Sequence, residues 1–283
     1  MPVTSNGISP CLNDFAAPCR SWDFYFTLEE AAAIERILKR GIVTTRDPYL
    51  TMMMWFLMYT GARRSEIMCI RVRDVLPEGT TRHPKGTLRV WNSKLAHLKV
   101  GRRIPGMRES ILFPKLRKAV EHFVKAMNLK PDDFPCMSPS RVKKLREKGV
   151  DMRSLRSVHR AVANASCTSL NRYIKNLCVE AGVEAGDDNR HVCHIWRHTY
   201  VATRGRMVHE GGNPVTLSDL QGEIGHILNS ETTRNVYEKA AQHPLPDRFD
   251  VLDWRQMAHS ALKRQRENAQ RPRRARANLP AMR

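Results

Sequence analysis

The chain has 283 residues, 41% hydrophobic and 27% charged, which is enough for one large soluble domain or two small ones with a sizeable core. Lys and Arg number 48 against 28 Asp and Glu, a formal net charge of +20, and such a surplus points to a polyanionic partner rather than a neutral one. The longest apolar run, YLTMMMWFLMYTG, is too short to span a bilayer, and the first residues lack the basic and apolar regions of a signal peptide. Seven cysteines without a repeated C-x-x-C read as free thiols. These features place the chain in the cytoplasm, associated with the nucleoid if it is bacterial and DNA is the partner. The bland alternative is a ribosome-associated or merely basic protein.

Residues 1–25 read as a flexible leader. Order is predicted from FTLEEAAAIERILKRG, where Thr27 and Glu30 fit a capping box, Ile34, Ile37 and Leu38 form an apolar stripe, and Gly41 is the stop. The next helix has Asp47 as N-cap, Pro48 at its first position and Gly61 past its end; it is apolar nearly all round and belongs in the core. Ser65 is placed to cap a short helix through Ile70. The period then changes: Leu88 and Val90, followed by Leu98, Val100 and Ile104, predict two short strands around a polar turn. RESILFPKLRKAVEHFVKAMNLK returns to helix, with Leu116, Val120, Phe123, Val124 and Met127 on one face, and PDDFPCMSPSR reads as a loop. Residues 142–165 are basic and weakly patterned and read as an insertion with some helix. SLNRYIKNLCVEAGV predicts a helix ending at Gly182, and HVCHIWRHTYVATRGRMV another. A short helix runs from Ser218 to Gly225, and TTRNVYEKA starts the next, capped by Thr232 or Thr233. Residues 243–283 read as a basic tail with one helix, DVLDWRQMAHSALKRQ. The expected fold class is α+β, mainly α with a small antiparallel β-sheet.

Three stretches carry chemistry. TGARRSEI puts Arg63 just after a helix-ending glycine and Glu66 three residues on; taken alone it is an ordinary surface ion pair. In HIWRHTY, His194 and Arg197 are three apart and share a helix face, while His198 points elsewhere and reads as a buried, hydrogen-bonded residue. His191, Cys193, His194 and His198 crowd together, but their spacing fits neither a zinc knuckle nor H-E-x-x-H, so no metal site is expected. GHILNSETTRNVYEKAA supplies His226 and Tyr237; the plain reading of Tyr237 is a core tyrosine on a helix.

In this order, TGARRSEI, HIWRH, GH and a tyrosine soon afterwards resemble the tyrosine recombinases, or phage integrase family, over its catalytic domain from about Phe26 to Ala240. WNSKLAHLKVGRRIPG is similar to that family's β-hairpin, whose turn presents a lysine. The resemblance implies the tyrosine recombinase catalytic-domain fold over 26–242. It also implies a site-specific recombinase or integrase of mobile DNA that cuts and rejoins strands through a 3′-phosphotyrosine. Tyr237 is implied as the nucleophile, Arg63 and Arg197 as the grip on the non-bridging oxygens and His194 as acid/base. His226 is implied to hydrogen-bond the scissile phosphate, and Lys94 to protonate the leaving 5′ oxygen, with Lys99 as the alternative. The chemistry suits these residue types. Two guanidinium groups offer fixed donors where the transition state gathers negative charge, and a phenol with an unperturbed pKa of about 10 needs that help.

Glu66 is expected to buttress the arginine pocket, and Tyr173 and Tyr200 read as packing residues. No cofactor is expected, since the bond energy stays in the protein–DNA link and no P-loop motif occurs. DNA contacts are expected from Arg64, Lys99, Arg102 and Arg103, and from Arg273 and Arg274 in the tail. The implied partners are double-stranded DNA and further copies of the chain, as a tetramer on DNA. Most relatives carry a helical DNA-binding half before the catalytic domain; three readings stay open here, a truncated version, an accessory protein or second recombinase subunit that closes the clamp, or compensation by the basic insertion and tail. Val251, Leu252, Met257 and Leu262 form an apolar stripe expected to dock on a neighbouring subunit. Two alternatives stay open: a type IB-like topoisomerase, and a non-catalytic DNA-binding protein derived from a recombinase.

Overall fold

The computed structural model describes residues 25–41, 47–75, 86–91, 106–183, 192–207, 215–225, 253–260, 262–263 and 266. Helix α1 (Leu28–Gly41) opens on the expected capping box: the Thr27 N–H donates to Glu30 Oε2 at 2.8 Å and the Glu30 N–H to Thr27 Oγ1 at 3.2 Å. Helix α2 (Pro48–Thr60) is capped by Asp47, which accepts from the Leu50 N–H, and it is buried on every side. That follows from its composition, because a helix with no polar face has no side to offer water. It is the central rod of the molecule. Gly61 ends it in the left-handed region at φ +57°, and a Cβ there would lie 2.6 Å from Tyr200 Cδ1. The glycine is therefore required twice, by its backbone angle and by the close approach of the next layer.

Helix α3 (Arg64–Ile67) starts two residues earlier than the sequence suggests. Arg63 is the cap residue, its N–H donating to Glu66 Oε2 at 2.9 Å, while Ser65 lies inside the turn and meets His159 Nε2 at 3.1 Å. Strand β1 (Thr87–Trp91) pairs antiparallel with β2 (Met107–Ile111), with Leu88 opposite Ser110 and Val90 opposite Arg108. The helix expected from Arg108 is thus a strand, and helix α4 (Pro114–Ala126) begins only at the proline, which fits its first position because it lacks the N–H that would go unpaired there. The physical reason for the misreading is that the inward residues of β2 are Arg108 and Ser110, while Glu109 faces out. The alternation that marks a strand is present in burial but absent in polarity. Residues 98–104, expected as the second strand, lie outside the described residues.

Helices α5 (Pro139–Glu147), α6 (Leu155–Ala163) and α7 (Thr168–Ala181) follow. Helix α5 starts inside the stretch read as a loop, with Ser138 accepting from the Arg141 N–H and Pro139 at the first position. Helix α6 buries Val158 and Val162, and it and the turn before it are pinned to α3 and the segment after α3 at three points. Arg71 donates to the Met152 and Arg153 carbonyls, His159 meets Ser65, and Arg64 donates to the Val162 and Ala163 carbonyls at 3.2 and 3.1 Å. Those carbonyls lie at the end of the helix, where i→i+4 partners run out; Val162 also accepts from the Ala165 N–H at 3.2 Å, and Arg64 adds a side-chain cap to α6.

Helix α8 (Val192–Arg204) packs on α2, and helix α9 (Leu217–Ile224) packs on β2. Thr216 and Asp219 form the capping box of α9, and Gly225 closes it in the left-handed region. Residues 254–260 are helical, and their apolar face corrects an expectation. Met257 is fully buried in this chain's own core beside Trp254, whose ring meets Tyr59 edge-on at 6.3 Å. It is not available to a neighbouring subunit. Lys115 clasps this segment, bridging Asp253 at 2.7 Å and the buried Glu35 at 3.0 Å. Leu262 is 39% exposed, and Val251 and Leu252 lie outside the described residues.

Candidate active site

Four side chains from three distant parts of the sequence converge: Arg63 from the turn after α2 with Glu66 from α3, Arg108 from β2 and Arg197 from α8. Glu66 is the hub and is fully buried. Its Oε1 accepts from Arg63 Nη1 at 2.8 Å, its Oε2 accepts the Arg63 N–H at 2.9 Å, and Arg108 Nη2 stands 3.5 Å from Oε2. Burial pushes the Glu66 carboxyl up, but Arg108, Arg197 and Arg63 outweigh it and hold the group below the usual carboxylate range. One carboxylate faces three guanidinium groups, so the cluster holds positive charge in excess.

Arg197 is 3% exposed. Its Nη1 donates to the Gly61 carbonyl at 2.6 Å and its Nη2 to the Ile224 carbonyl at 2.7 Å. Both acceptors sit at helix C-termini, where unpaired carbonyls gather negative partial charge. Arg197 thereby ties the turn that carries Arg63 to the turn that leads into His226. Its Nε has no hydrogen-bond partner among the described residues. Burial and the adjacent Arg63 push its pKa down to about 9, so it stays cationic at neutral pH at a cost. Arg63 is the most open of the three arginines, with 24% of its side chain exposed.

His194 is exposed on α8, one turn before Arg197. Its ring meets that of His198 edge-on at 5.0 Å, and His198 is buried, as the sequence suggests. The phenols of Tyr173 and Tyr200 are engaged: Tyr173 with Thr51 Oγ1 at 2.6 Å, and Tyr200 donating to Glu223 Oε2 at 2.9 Å. Burial pushes both upward in pKa, and Glu223 adds to this at Tyr200, the reverse of what a phenolate nucleophile needs. Lys94, Lys99, Arg102, Arg103, His226, Tyr237, Arg273 and Arg274 lie outside the described residues. Arg64 is occupied by the carbonyls at the end of α6, an internal role where the sequence suggested a DNA contact.

Two residues near the cluster carry no motif. Arg108 gives no signal because it sits in a strand that reads as helix. His159 belongs to α6, a basic segment of weak pattern. Burial and Arg63 lower its pKa while Glu66 raises it, which places it within electrostatic reach of the arginines. Among the described residues no group of three His, Cys, Asp or Glu is arranged to hold a metal ion, and no helix is long and apolar enough to cross a membrane.

No family model and no curated protein matches the sequence. Among solved structures the chain is similar to XerA recombinase, at 20% identity and a TM-score of 0.46 over 80% of this chain and 66% of that one. It is also similar to XerH site-specific recombinase bound to palindromic difH substrate in a post-cleavage complex, at 13% identity and a TM-score of 0.49 over 77% of this chain and 50% of that one. The pre-cleavage complex of XerH with difH gives 14%, 0.46, 77% and 52%. The chain spans between half and two thirds of the length of these proteins. At these identities and scores none of them assigns a residue or an activity.

Proposed function

We propose that the chain is a DNA strand transferase of the tyrosine recombinase type, a site-specific recombinase or integrase. The observation that supports this best is the convergence of Arg63 and Arg197 on Glu66, from two motifs far apart in the sequence, in a cluster with more positive than negative charge. Such a pocket suits a single phosphodiester. Arg63 and Arg197 grip its non-bridging oxygens, and that charge stabilisation is the main catalytic contribution. Tyr237 attacks phosphorus, forming the tyrosyl O–P bond as the P–O5′ bond breaks. His194 takes the phenol proton, Lys94 gives one to the departing 5′ oxygen, and His226 steadies the phosphate. The product is a 3′-phosphotyrosine and a free 5′-hydroxyl, and rejoining is the reverse with another 5′-hydroxyl. No cofactor enters this balance. Double-stranded DNA is the substrate, a tetramer is the working assembly, and the cytoplasm or nucleoid is the place.

The test is covalent trapping. The full chain is incubated with a duplex library carrying nicks or bridging phosphorothiolates, denatured in SDS and scored for protein-linked DNA. The reading expects an adduct that vanishes in Tyr237→Phe. An adduct that survives in Tyr237→Phe removes that residue as nucleophile. Tight DNA binding with no adduct on any substrate favours the non-catalytic alternative. Relaxation of supercoiled plasmid without two-site recombination favours the topoisomerase.

A further inference from the structure

Arg108 stands on β2 with its guanidinium inside the protein, 4% of the residue exposed. Its Nε, Nη1 and Nη2 have no hydrogen-bond partner among the described residues. Among the described residues the nearest opposite charge is Glu66 Oε2 at 3.5 Å, longer than a charge-assisted hydrogen bond. A buried cation compensated this thinly is costly, and an apolar side chain of similar volume would fill the same inward place without that cost. Packing therefore does not account for an arginine here; its charge does.

Glu66 is the group that uses the charge. It is fully buried, and a carboxyl so placed takes up a proton unless nearby cations prevent it. As a carboxylate it accepts both the Arg63 side chain and the Arg63 N–H, fixing the turn that carries the arginine. Once protonated, it has one oxygen that donates instead, and that double grip is lost. We propose that Arg108 is a positioning residue of the anion site: from β2 its charge keeps Glu66 ionised, and ionised Glu66 holds Arg63 in place. Among the described residues, the other charged or titratable groups that face Glu66 are Arg63 and Cys69 from its own segment, Arg197 from α8 and His159 from α6. Arg108 is the largest of the opposing influences on its proton. The consequence for catalysis rests on the function proposed above; the link from Arg108 to Glu66 does not.

The experiment uses the full chain with glutamate labelled at the carboxyl carbon. The Glu66 resonance is identified by its absence in Glu66→Gln, and its titration is followed in wild type, Arg108→Lys and Arg108→Met. In Arg108→Met the Glu66 pKa rises by about one to three pH units, and in Arg108→Lys it stays near the wild-type value. Sulfate, whose charge is constant over this range, is the binding probe. Arg108→Met binds it about tenfold more weakly than wild type below the new Glu66 pKa and recovers above it. In the Glu66→Gln background the same substitution changes sulfate affinity little. An unchanged Glu66 titration in folded Arg108→Met, or a loss of sulfate binding that is the same at every pH, overturns the proposal. If Arg108→Met does not fold, Arg108→Gln takes its place with the same two outcomes. Since neither readout involves DNA cleavage, failure to trap an adduct overturns the strand-transferase reading and leaves this one to be judged on Glu66.

Discussion

Arg197 and Arg204 stand two turns apart on α8, and both are almost fully buried, yet they are built in opposite ways. Arg204 meets a carboxylate one for one. Its Nη2 donates to Glu223 Oε1 at 2.6 Å and its Nε to Oε2 at 3.1 Å, Tyr200 donates to the same Oε2, and the guanidinium lies over the Phe113 ring. Burial alone would lower its pKa, but Glu223 more than reverses this and the group is raised. Arg197 meets two neutral carbonyls, has Arg63 and Arg108 for neighbours, has an Nε without a partner among the described residues and is pushed down to about 9. A neutralised buried charge holds α8 to α9. A buried charge left in excess is what the proposed anion site would need.

Breaking the satisfied pair has the largest expected effect. Glu223→Gln strips Arg204 of its counter-charge in a closed interior and lowers stability by about 3–5 kcal/mol, read from the urea midpoint with the slope unchanged. Arg204→Met combined with Glu223→Leu recovers most of that loss, because the pair is then replaced rather than broken. Next comes Gly61→Ala. The added Cβ meets Tyr200 at 2.6 Å in a backbone conformation that alanine disfavours, and stability falls by about 1–3 kcal/mol. Because the Gly61 carbonyl accepts from Arg197, sulfate affinity falls with it.

Arg197→Met sharpens the contrast from the other side. It loses two hydrogen bonds but also relieves a crowd of like charges, so its stability cost is smaller than that of Glu223→Gln. Its anion response disappears entirely. Wild type in sulfate at a hundred times the dissociation constant gains about 2.7 kcal/mol, visible as a raised Tm. In Arg197→Met the Tm does not move with sulfate, whereas the doubly substituted 204/223 variant still responds.

The difference between these two arginines was only half legible in the sequence. Arg63 with Glu66, and His194 with Arg197, lie in short stretches whose spacing suggests each pair, and the resemblance to the tyrosine recombinases, not local geometry, suggests grouping the two pairs. Arg108 had no such help. Its strand turns Arg108 and Ser110 inward, so the residues that bury are the ones that composition marks as exposed, and the segment reads as the start of α4. Helix α5 hid for a related reason: Pro139 marks a helix start as readily as a loop, and only the Ser138 cap decides between them. Met257 shows a third limit. Periodicity reveals that one face of residues 254–260 is apolar, but not whose core it fills, and here it is the chain's own.

The smallest expected effect tests the clasp on that last helix against the cluster at the site. Burial raises the Asp253 carboxyl, but Lys115 and the N–H groups of Gln256 and Arg255 outweigh it, so its pKa in the folded chain lies below the ordinary aspartate value. A carboxyl lowered on folding contributes stability that is full above the unfolded pKa and is lost as pH falls through the folded one. Asp253→Asn keeps the shape and removes the charge, costing about 1 kcal/mol at neutral pH. That deficit should shrink as the medium is made more acid than about pH 4, where wild-type Asp253 itself becomes neutral. Chemical unfolding of both proteins from pH 7 to pH 3 reads it directly. Sulfate affinity at neutral pH should be the same in both, because Asp253 and Lys115 close the core around Glu35 and Tyr59 and have no part in holding Arg63 or Arg197. A variant that lost sulfate along with the clasp would join the two regions that the opposite treatment of Arg197 and Arg204 keeps apart.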